Sequence, residues 1–463
     1  MHAITFRGAV GEVTGSKIEI SSYKNTVLMD YGLVQGHRDT AYIENKKFAD
    51  EPLDPDFCII SHSHLDHSGL LPTLKDTPIY STPATYELCR HMIPDSLKVM
   101  GKELDVIKRM LKRKKIKLPV KELYTKEDID KCLNNFKTSN YGEWVKLTKE
   151  IRFKLMDSCH ILGSASVEVE VNQRGNKHRV YYTSDLGHDK SLLHSNPIVP
   201  QNITHLIIET TYGNKKRHGG KPQDKLLDLI LDANRRGGRT IIPAFSVARM
   251  QSIILMLHRL YRENALPNIP VYVDSPLGNK VTKIYRNNLD LLNQETVSFF
   301  EDQGYDPFNF PTLEYVNNLD RTEAISTGDE NCIIISASGM LEGGFARKYV
   351  EDNIGDKRNT VALVGYCAEG TLGERLLHTS GVVNFNGCTH RVRCKVDYVE
   401  GFSAHSDVDY LIGYIEKATE LNDLKAIYLI HGDVAAANNV MKILRDKGYK
   451  NVIIPIKNNP YKL

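Results

Sequence analysis

Seven consecutive residues, Ser61 to His67, carry three histidines and one aspartate: His62, His64, Asp66 and His67. The segment directly follows a short apolar run that reads as a buried strand. Neutral imidazoles and carboxylates are the ligands that a borderline cation such as Zn²⁺ prefers. A polar surface loop is the alternative interpretation, but so many ligand-type side chains in so short a segment favour a metal site.

Five further β-type runs end in an ionisable side chain, and the end residues are Asp30, His160, Asp185, Glu209 and His431. Sites built on loops at the carboxyl ends of strands are common in layered α/β folds. Any one of these side chains could be an ordinary solvated loop residue. The recurrence in six runs, counting the histidine segment, predicts that they converge on one site.

Composition sets broad limits on the protein's class. The chain has 463 residues, of which 25% are charged and 41% hydrophobic, and its formal net charge is +3, which is too small to require a nucleic-acid partner by itself. The amino terminus reads as a strand and not as a signal peptide, and no apolar stretch approaches the roughly 20 residues of a membrane span, so no membrane partner is expected. The eight cysteines include no C-x-x-C pair, and a reducing, cytoplasmic location fits them best.

The pattern of predicted strands and helices changes twice along the chain. Residues 1–210 are rich in strands, whereas 211–385 alternate strands with helices, which predicts a parallel sheet. Residues 386–463 return to short strands. If His431 joins the metal site, the middle block is an insertion into the first domain.

The histidine segment, taken with Asp30, His160 and Asp185, resembles the motif set of the metallo-β-lactamase superfamily. Later motifs are similar to those of the β-CASP nucleases within it, the prokaryotic relatives of the endonuclease subunit of the cleavage and polyadenylation specificity factor. These motifs are Glu209–Gly213, Pro243–Arg249, Asp274–Leu277, Ser336–Met340, Phe402–Asp407 and Ile430–Asp433. The resemblance implies an α/β protein: an αββα sandwich with an inserted β-CASP domain built on a parallel sheet.

The resemblance also implies two Zn²⁺ ions per chain. The first ion would take His62, His64 and His160, the second Asp66, His67 and His431, and Asp185 would bridge both. It further implies catalytic roles for Asp30, Asp66, Glu209 and His405. Asp30 would hold the ligand loop, and Glu209 with His405 would protonate the leaving group.

Two groups of residues are candidates for holding a polyanionic substrate. The first, by motif position, would supply phosphate contacts: Arg249, Ser336, Ser338, Gly339 and Ser403. Three of these follow a strand and precede a helix, where free backbone N–H groups favour a phosphate. The second is a basic helical stretch within 100–117, with seven lysines and arginines between Lys108 and Lys117. Its side chains either follow an RNA backbone or form a solvated helix face, and the sequence leaves both interpretations open.

The function that follows is a zinc-dependent ribonuclease that hydrolyses phosphodiester bonds with hydroxide activated by two metal ions, in RNA processing or decay. A small-molecule metallohydrolase of the same superfamily is the main alternative. A non-catalytic scaffold and a DNA nuclease are less favoured, because every ligand position, His431 included, is filled. Endonuclease and 5′-exonuclease action both stay open, and a homodimer is compatible with the sequence.

Overall fold

The computed structural model describes residues 2–173, 175–189, 191–216, 221–302, 304–379, 381–420 and 423–463. Strands are found throughout these ranges: β1 (Ala3–Phe6), β2 (Ile18–Ser21), β3 (Thr26–Met29), β4 (Phe57–Ile59), β5 (Ile79–Ser81), β6 (Phe136–Thr138), β7 (Trp144–Lys146), β8 (Ile151–Asp157), β9 (Ala165–Gln173), β10 (Asn176–Tyr182), β11 (His205–Glu209), β12 (Thr240–Pro243), β13 (Val271–Asp274), β14 (Leu313–Tyr315), β15 (Ile333–Ser336), β16 (Thr360–Leu363), β17 (Val382–Phe385), β18 (Cys388–Arg391), β19 (Lys395–Tyr398), β20 (Ala426–Ile430), β21 (Val452–Ile453) and β22 (Pro460–Lys462).

The α-helices are α1 (Arg38–Asp50), α2 (Leu65–Ser68), α3 (Pro83–Arg113), α4 (Lys126–Asn134), α5 (Pro222–Arg235), α6 (Arg249–Arg262), α7 (Pro276–Arg286), α8 (Gln294–Glu301), α9 (Leu319–Thr327), α10 (Gly344–Asn353), α11 (Leu372–His378), α12 (Val408–Glu420) and α13 (Val434–Asp446). Short 3₁₀ turns occur at Leu71–Thr73 and Leu289–Leu291. Among the residues described above, no helix is both long and apolar enough to cross a membrane.

The chain divides into two compact units. The first unit comprises Met1–Asp189, Asn196–Lys216 and His405–Leu463, and the second comprises Lys190–Ser195 and Arg217–Ala404. The sequence placed the domain limits at 210 and 385, whereas these units have theirs near 216 and 404. The later limit differs because β19 hydrogen-bonds to β16 and so belongs to the second unit. The sequence of a short strand does not indicate which sheet the strand joins. The assignment of named domains to residue ranges stays a prediction.

The first unit has two seven-stranded sheets in its described residues, in the orders β22-β1-β2-β3-β4-β5-β6 and β21-β20-β11-β10-β9-β8-β7. Alternation along β3 shows how the layers form, since Val27 and Met29 pack into the core between the sheets while Leu28 packs outward. That outward cluster includes Cys89 and Ile93 of α3, and the second sheet is covered by α12 and α13. The layers therefore run α-β-β-α, which confirms the predicted sandwich.

The second unit is built on a parallel sheet, as its strand–helix alternation predicts. The strand order is β14-β13-β15-β12-β16-β19, and every pairing in this sheet is parallel. The four central strands, β13, β15, β12 and β16, are buried on both faces, as expected for a parallel sheet with helices on its two sides. A separate two-stranded hairpin, β17–β18, adds to this unit.

Candidate metal centre and active site

The candidate ligands lie on loops at the carboxyl ends of neighbouring strands in the first unit. Asp30 follows β3, the histidine segment follows β4, and His431 follows β20. β11 and β20 pair in parallel with Glu209 opposite Ile430, so Glu209 and His431 reach the same edge of the sheet although 222 positions (431 − 209) separate them. Parallel pairing is what brings the late histidine to the early ligands.

Four of these loops turn through the left-handed backbone region without a glycine. The φ angles are 60° at Asp30, 56° at Cys159, 54° at Ser184 and 48° at His431. A non-glycine residue held there costs about 1–3 kcal/mol, and such residues cluster at functional sites. The sharp turns allow each strand to end and its ligand-type side chain to point back into one centre.

One group of side chains has the spacing of a tetrahedral metal site. His62 Nε2 lies 3.0 Å from His64 Nδ1 and 3.5 Å from Asp185 Oδ2, and His160 Nε2 lies 3.4 Å from each of those two atoms. Ligand atoms about 2.0–2.1 Å from a tetrahedral zinc are roughly 3.3–3.4 Å from one another. Four donor atoms at these separations can hold one ion.

A second group uses the other oxygen of the same carboxylate. His67 Nε2 lies 3.1 Å from His431 Nε2, 3.9 Å from Asp66 Oδ2 and 3.2 Å from Asp185 Oδ1. His431 Nε2 is 3.6 Å from Asp66 Oδ2. Asp185 therefore presents one oxygen to each group, and it is the only side chain common to both of these sets.

The electrostatics of the first group fit zinc, whereas in the second group burial is outweighed by the carboxylates of Asp185, Asp30 and Asp66, which raise the pKa of His67 well above its usual value. Burial lowers the pKa of His62 and of His160 well below the usual value, so both imidazoles are neutral and keep a lone pair for a metal. Asp185 Oδ1 is buried and has no hydrogen-bond partner among the described residues. A buried, unpartnered carboxylate oxygen between two histidines is costly unless a cation balances it.

Asp30 orients the ligands and is not itself part of either group. Its carboxylate accepts hydrogen bonds from Ser61 N (2.8 Å), Ser61 Oγ (2.8 Å), His67 Nδ1 (2.7 Å) and Tyr182 Oη (2.9 Å). The bond from Nδ1–H fixes the His67 tautomer and leaves Nε2 to face Asp185. These contacts suit the predicted role of Asp30 in holding the ligand loop, which stays a prediction.

We expect Asp30→Asn to weaken zinc binding about 10–100-fold, the range found for partners of metal-ligating histidines. An amide would direct N–H groups at donors, and His67 would lose its anchor. Competition with a chelator measures the affinity. The matched control is Asp274→Asn, since Asp274 is a buried carboxylate bonded to Tyr349 (2.6 Å) and belongs to neither group. Equal zinc affinity in the two variants would contradict this role.

His405 and Glu209 form a pair at the edge of the ligand cluster. His405 Nδ1 lies 3.1 Å from both oxygens of Glu209, and its Nε2 lies 3.9 Å from Asp185 Oδ2. Burial lowers the pKa of His405, but the carboxylates of Glu209 and Asp185 outweigh it and raise this pKa to about 10. The imidazole is held protonated with Nε2 toward the candidate metal ligands, as a proton donor must be. Glu209 also lies close to Asp185 and His431, but its Oε1 already accepts from Leu186 N at 2.6 Å.

Lys17 stabilises a neighbouring loop from inside the first unit. Its side chain is fully buried, and Nζ contacts the carbonyl oxygens of Gly15 (3.1 Å) and Gly32 (2.6 Å) and lies over the Phe48 ring. Gly32 is also where the chain approaches the histidine segment, because a Cβ there would lie 1.6 Å from the carbonyl oxygen of Asp66. Burial lowers the pKa of Lys17 to about 7, and a neutral amine still has two N–H groups for the two carbonyls.

We expect this lysine to make stability depend on pH. Between about pH 7 and its unfolded value near 10.5, the unfolded chain binds the proton and the folded chain does not, so the free energy of unfolding rises by up to about 1.4 kcal/mol per pH unit. Denaturant midpoints of wild type and Lys17→Met at pH 7.5, 8.5 and 9.5 measure this contribution. As the pH rises, the denaturant midpoint of wild type should increase relative to that of Lys17→Met. Midpoints that change with pH in parallel would contradict the prediction.

The predicted phosphate contacts lie in the second unit. Ser336 ends β15 and its Oγ donates to the carbonyl of Asp274 (2.6 Å), whereas Ser338 Oγ is buried without a partner among the described residues. A Cβ on Gly339 would lie 3.0 Å from the Phe245 ring, so the two motifs that hold these residues meet. Arg249 begins α6, and its guanidinium lies over the Phe402 ring.

The helix that follows Ser338 begins later than the sequence suggested. α10 starts at Gly344, and the backbone N–H of Ala346 in its first turn is bonded to the carbonyl of Ala337 at 2.7 Å. A loop therefore separates Ser338 from the helix. The remaining member of the predicted set, Ser403, is half-buried.

Sequence reasoning missed the hydroxyls that orient the ligands. Ser61 Oγ and Ser184 Oγ lie 3.1 and 3.3 Å from His62 Nδ1, and Thr211 Oγ1 lies 3.1 Å from His431 Nδ1. At His62 the hydroxyls contact the ring nitrogen turned away from the neighbouring ligand atoms, whereas His431 Nδ1 also lies 3.3 Å from Asp185 Oδ1. The available signal was position, since each of these residues lies within one or two residues of a predicted ligand or of Glu209.

Comparisons with known proteins agree with this geometry. A family model described as Beta-Casp domain matches residues 250–376, and one described as Zn-dependent metallo-hydrolase RNA specificity domain matches residues 389–455. A solved structure of a protein of unknown function from Enterococcus faecalis covers 100% of both chains with a TM-score of 0.54 at 12% identity, which shows the fold alone.

Three curated relatives match nearly the whole chain. Ribonuclease TTHA0252 of Thermus thermophilus is 27% identical over 95% of each chain. Transcription termination factor FttA of Methanocaldococcus jannaschii is 29% identical over 98% of this chain and 70% of that protein. The RNase J-like protein of the same organism is 30% identical over 98% of this chain and 100% of its own length. The chain belongs to the β-CASP family of the metallo-β-lactamase superfamily.

Proposed function

We propose that this protein is a zinc-dependent ribonuclease that hydrolyses RNA phosphodiester bonds and acts in RNA processing or decay. It is a metal-dependent hydrolase that acts on RNA, as the family domains and the ribonuclease relatives indicate. The observation that carries the proposal is the pair of ligand groups joined by Asp185, because two adjacent metal sites suit phosphodiester hydrolysis.

We assign two zinc ions to each chain. His62, His64 and His160 would hold the first, Asp66, His67 and His431 the second, and Asp185 would contribute one oxygen to each. The donor separations in both sets and the lowered pKa values of His62 and His160 in the first support this assignment. When bound, the two ions would supply a water of lowered pKa and neutralise charge on the phosphate oxygens.

The protein's own side chains supply orientation and the proton. Asp30 holds His67 in one tautomer, and Asp66 serves as a ligand beside it. During hydrolysis a water that has lost one proton to the solvent bonds to phosphorus through its oxygen, the bond from phosphorus to one ribose oxygen breaks, and that ribose oxygen takes a proton. His405 Nε2–H would donate this proton while Nδ1–H stays hydrogen-bonded to Glu209.

The second unit would hold the substrate through the phosphate contacts that the resemblance implies. Ser338 supports this role best, since its buried hydroxyl has no partner among the described residues. Arg249, Ser336, Gly339 and Ser403 complete the proposed set. We also propose a cytoplasmic location, because all eight cysteines are free thiols, and a homodimer as the assembly.

Cleavage of end-labelled RNA tests the function. Purified protein is incubated with 5′-labelled and 3′-labelled RNA, with and without chelator. Internal fragments identify an endonuclease, and 5′ mononucleotides identify a 5′ exonuclease. Absence of chelator-sensitive cleavage of either RNA would reject the ribonuclease proposal and favour a small-molecule metallohydrolase.

A further inference from the structure

We propose that the basic stripe on α3 is a docking surface for the RNA phosphate backbone. It comprises Lys98, Lys102, Lys108, Arg109, Lys112 and Arg113 of the helix, together with Lys115 and Lys117 in the segment that directly follows it. The inference rests on the proposed function, because it concerns the part of a long RNA that lies away from the metal centre. It adds a second contact region to the first unit, well outside the ligand loops.

The start of α3 is hydrogen-bonded to the loop that carries the candidate ligand His160. The hydroxyls of Thr82 and Thr85 both donate to the carbonyl of Gly163, at 2.7 and 2.8 Å, and Gly163 lies three residues after His160. At about 1.5 Å per residue, Lys108 lies roughly 40 Å along the helix from Thr82. The stripe therefore leads away from the candidate active site along a continuous helix.

The stripe's charges are exposed and free of ion pairs in the described part of the chain. All eight side chains are exposed, and none takes part in a salt bridge there. The one lysine of this run that is paired, Lys114, contacts the buried carboxylate of Asp39 and so secures the end of the helix. Of the nearby acidic side chains on α3, Glu103 is bonded to Arg38, and the exposed Asp105 forms no salt bridge with the stripe in the described residues. This leaves the cations available to a polyanion.

Helical spacing aligns these cations on one side. Arg109 and Arg113 lie on the same face as Lys98 and Lys102, and Lys108 with Lys112 forms a parallel row. Partners four residues apart are about 6 Å apart along the axis, which is comparable to the spacing of successive phosphates in an extended strand. The helix dipole by itself stabilises cations in the last turn of a helix. Its effect does not extend to Lys98 or Lys102, which lie several turns earlier, so it does not explain the whole stripe.

A membrane surface fits this helix poorly. A membrane-bound amphipathic helix needs a free apolar face, whereas Ile107 and Leu111 are buried in a cluster with Tyr42. The side that remains is charged. A phosphate backbone requires only charge, and the same unit carries the candidate nuclease centre.

The test compares long and short RNA with the zinc-loaded enzyme. The variant Lys108→Gln/Lys112→Gln/Lys115→Gln/Lys117→Gln removes four charges. The control Lys24→Gln/Lys149→Gln/Lys177→Gln/Lys425→Gln removes four exposed charges near the amino ends of strands, at the opposite end from the ligand loops. A third protein with arginine at the same four stripe positions keeps the charge.

We measure kcat/KM for RNAs of about 40 and about five nucleotides over a series of salt concentrations. In the glutamine variant the ratio of kcat/KM for long RNA to kcat/KM for short RNA should fall about tenfold or more at low salt. The slope of log kcat/KM against log salt concentration for long RNA should become shallower by up to about 3, at roughly 0.7 per lost contact. The control and the arginine protein should keep the wild-type ratio.

Two results would overturn the docking surface. One is an unchanged ratio in the glutamine variant, which would assign the stripe to another partner such as an acidic protein. The other is an equal fall in the control, which would make the effect one of net charge. Failure of wild type to cleave either RNA would instead reject the proposed function.

Discussion

Replacing His405 by alanine should lower kcat for RNA by about 10²–10⁴-fold while the protein keeps its zinc. That range is typical for loss of a positioned general acid. His405 belongs to neither ligand group, and its Nδ1 lies 3.1 Å from Glu209. Steady-state cleavage with parallel elemental analysis measures both quantities, and His378→Ala, which removes an exposed histidine of the second unit, is the control. Loss of zinc from His405→Ala would make His405 a ligand and reject the acid role.

The same pair predicts a change in pH dependence. Glu209 raises the pKa of His405, and the acid works only when protonated, so activity is lost as the pH rises through that pKa. Glu209→Gln removes the carboxylate and should move the alkaline limb of the kcat profile to lower pH. Bound zinc ions would lower the His405 pKa in both proteins by charge repulsion, but the Glu209→Gln protein would still have the lower pKa of the two. An alkaline limb that stays in place would contradict the pairing.

Asp185→Ala should have the largest effect of any single substitution. Its two oxygens lie 3.4 Å from His160 Nε2 and 3.2 Å from His67 Nε2, so both groups lose a donor at once. We expect zinc to be lost from both positions at chelator concentrations that leave wild type loaded, and cleavage to fall by at least about 10³-fold.

The control for this substitution is another buried carboxylate in the first unit. Glu168 pairs with Lys154 at 3.1 Å and belongs to neither ligand group. Glu168→Gln should keep its zinc even if it is less stable. An Asp185→Ala protein with its full zinc content would show that Asp185 does not join the two groups.

The residues that the sequence identified are those whose chemistry is unusual for their position. His62, His64 and His67 follow an apolar run, and Asp185 and His431 each end another, so hydrophobic pattern and ligand chemistry pointed to the same loops. The layer order could be predicted for a similar reason. The alternation of apolar and polar residues in the first unit and the strand–helix order in the second are both local features of the sequence. The structure places these side chains in two adjacent ligand groups that share Asp185.

Other features depend on distant contacts that no local pattern encodes. The left-handed turns at Asp30 and His431 use residues that rarely adopt that conformation, and only the surrounding structure enforces it. The hydroxyl of Thr211 acquires its role because parallel pairing brings it to His431. The limit of the second unit follows from the pairing of β19 with β16, and the sequence of a four-residue strand does not indicate which sheet it joins.

The most direct test of this account is the zinc content of the purified, untagged protein by elemental analysis. Two ligand groups that share Asp185 predict two zinc atoms per chain. One zinc atom or none would contradict the paired centre on which the proposed chemistry depends.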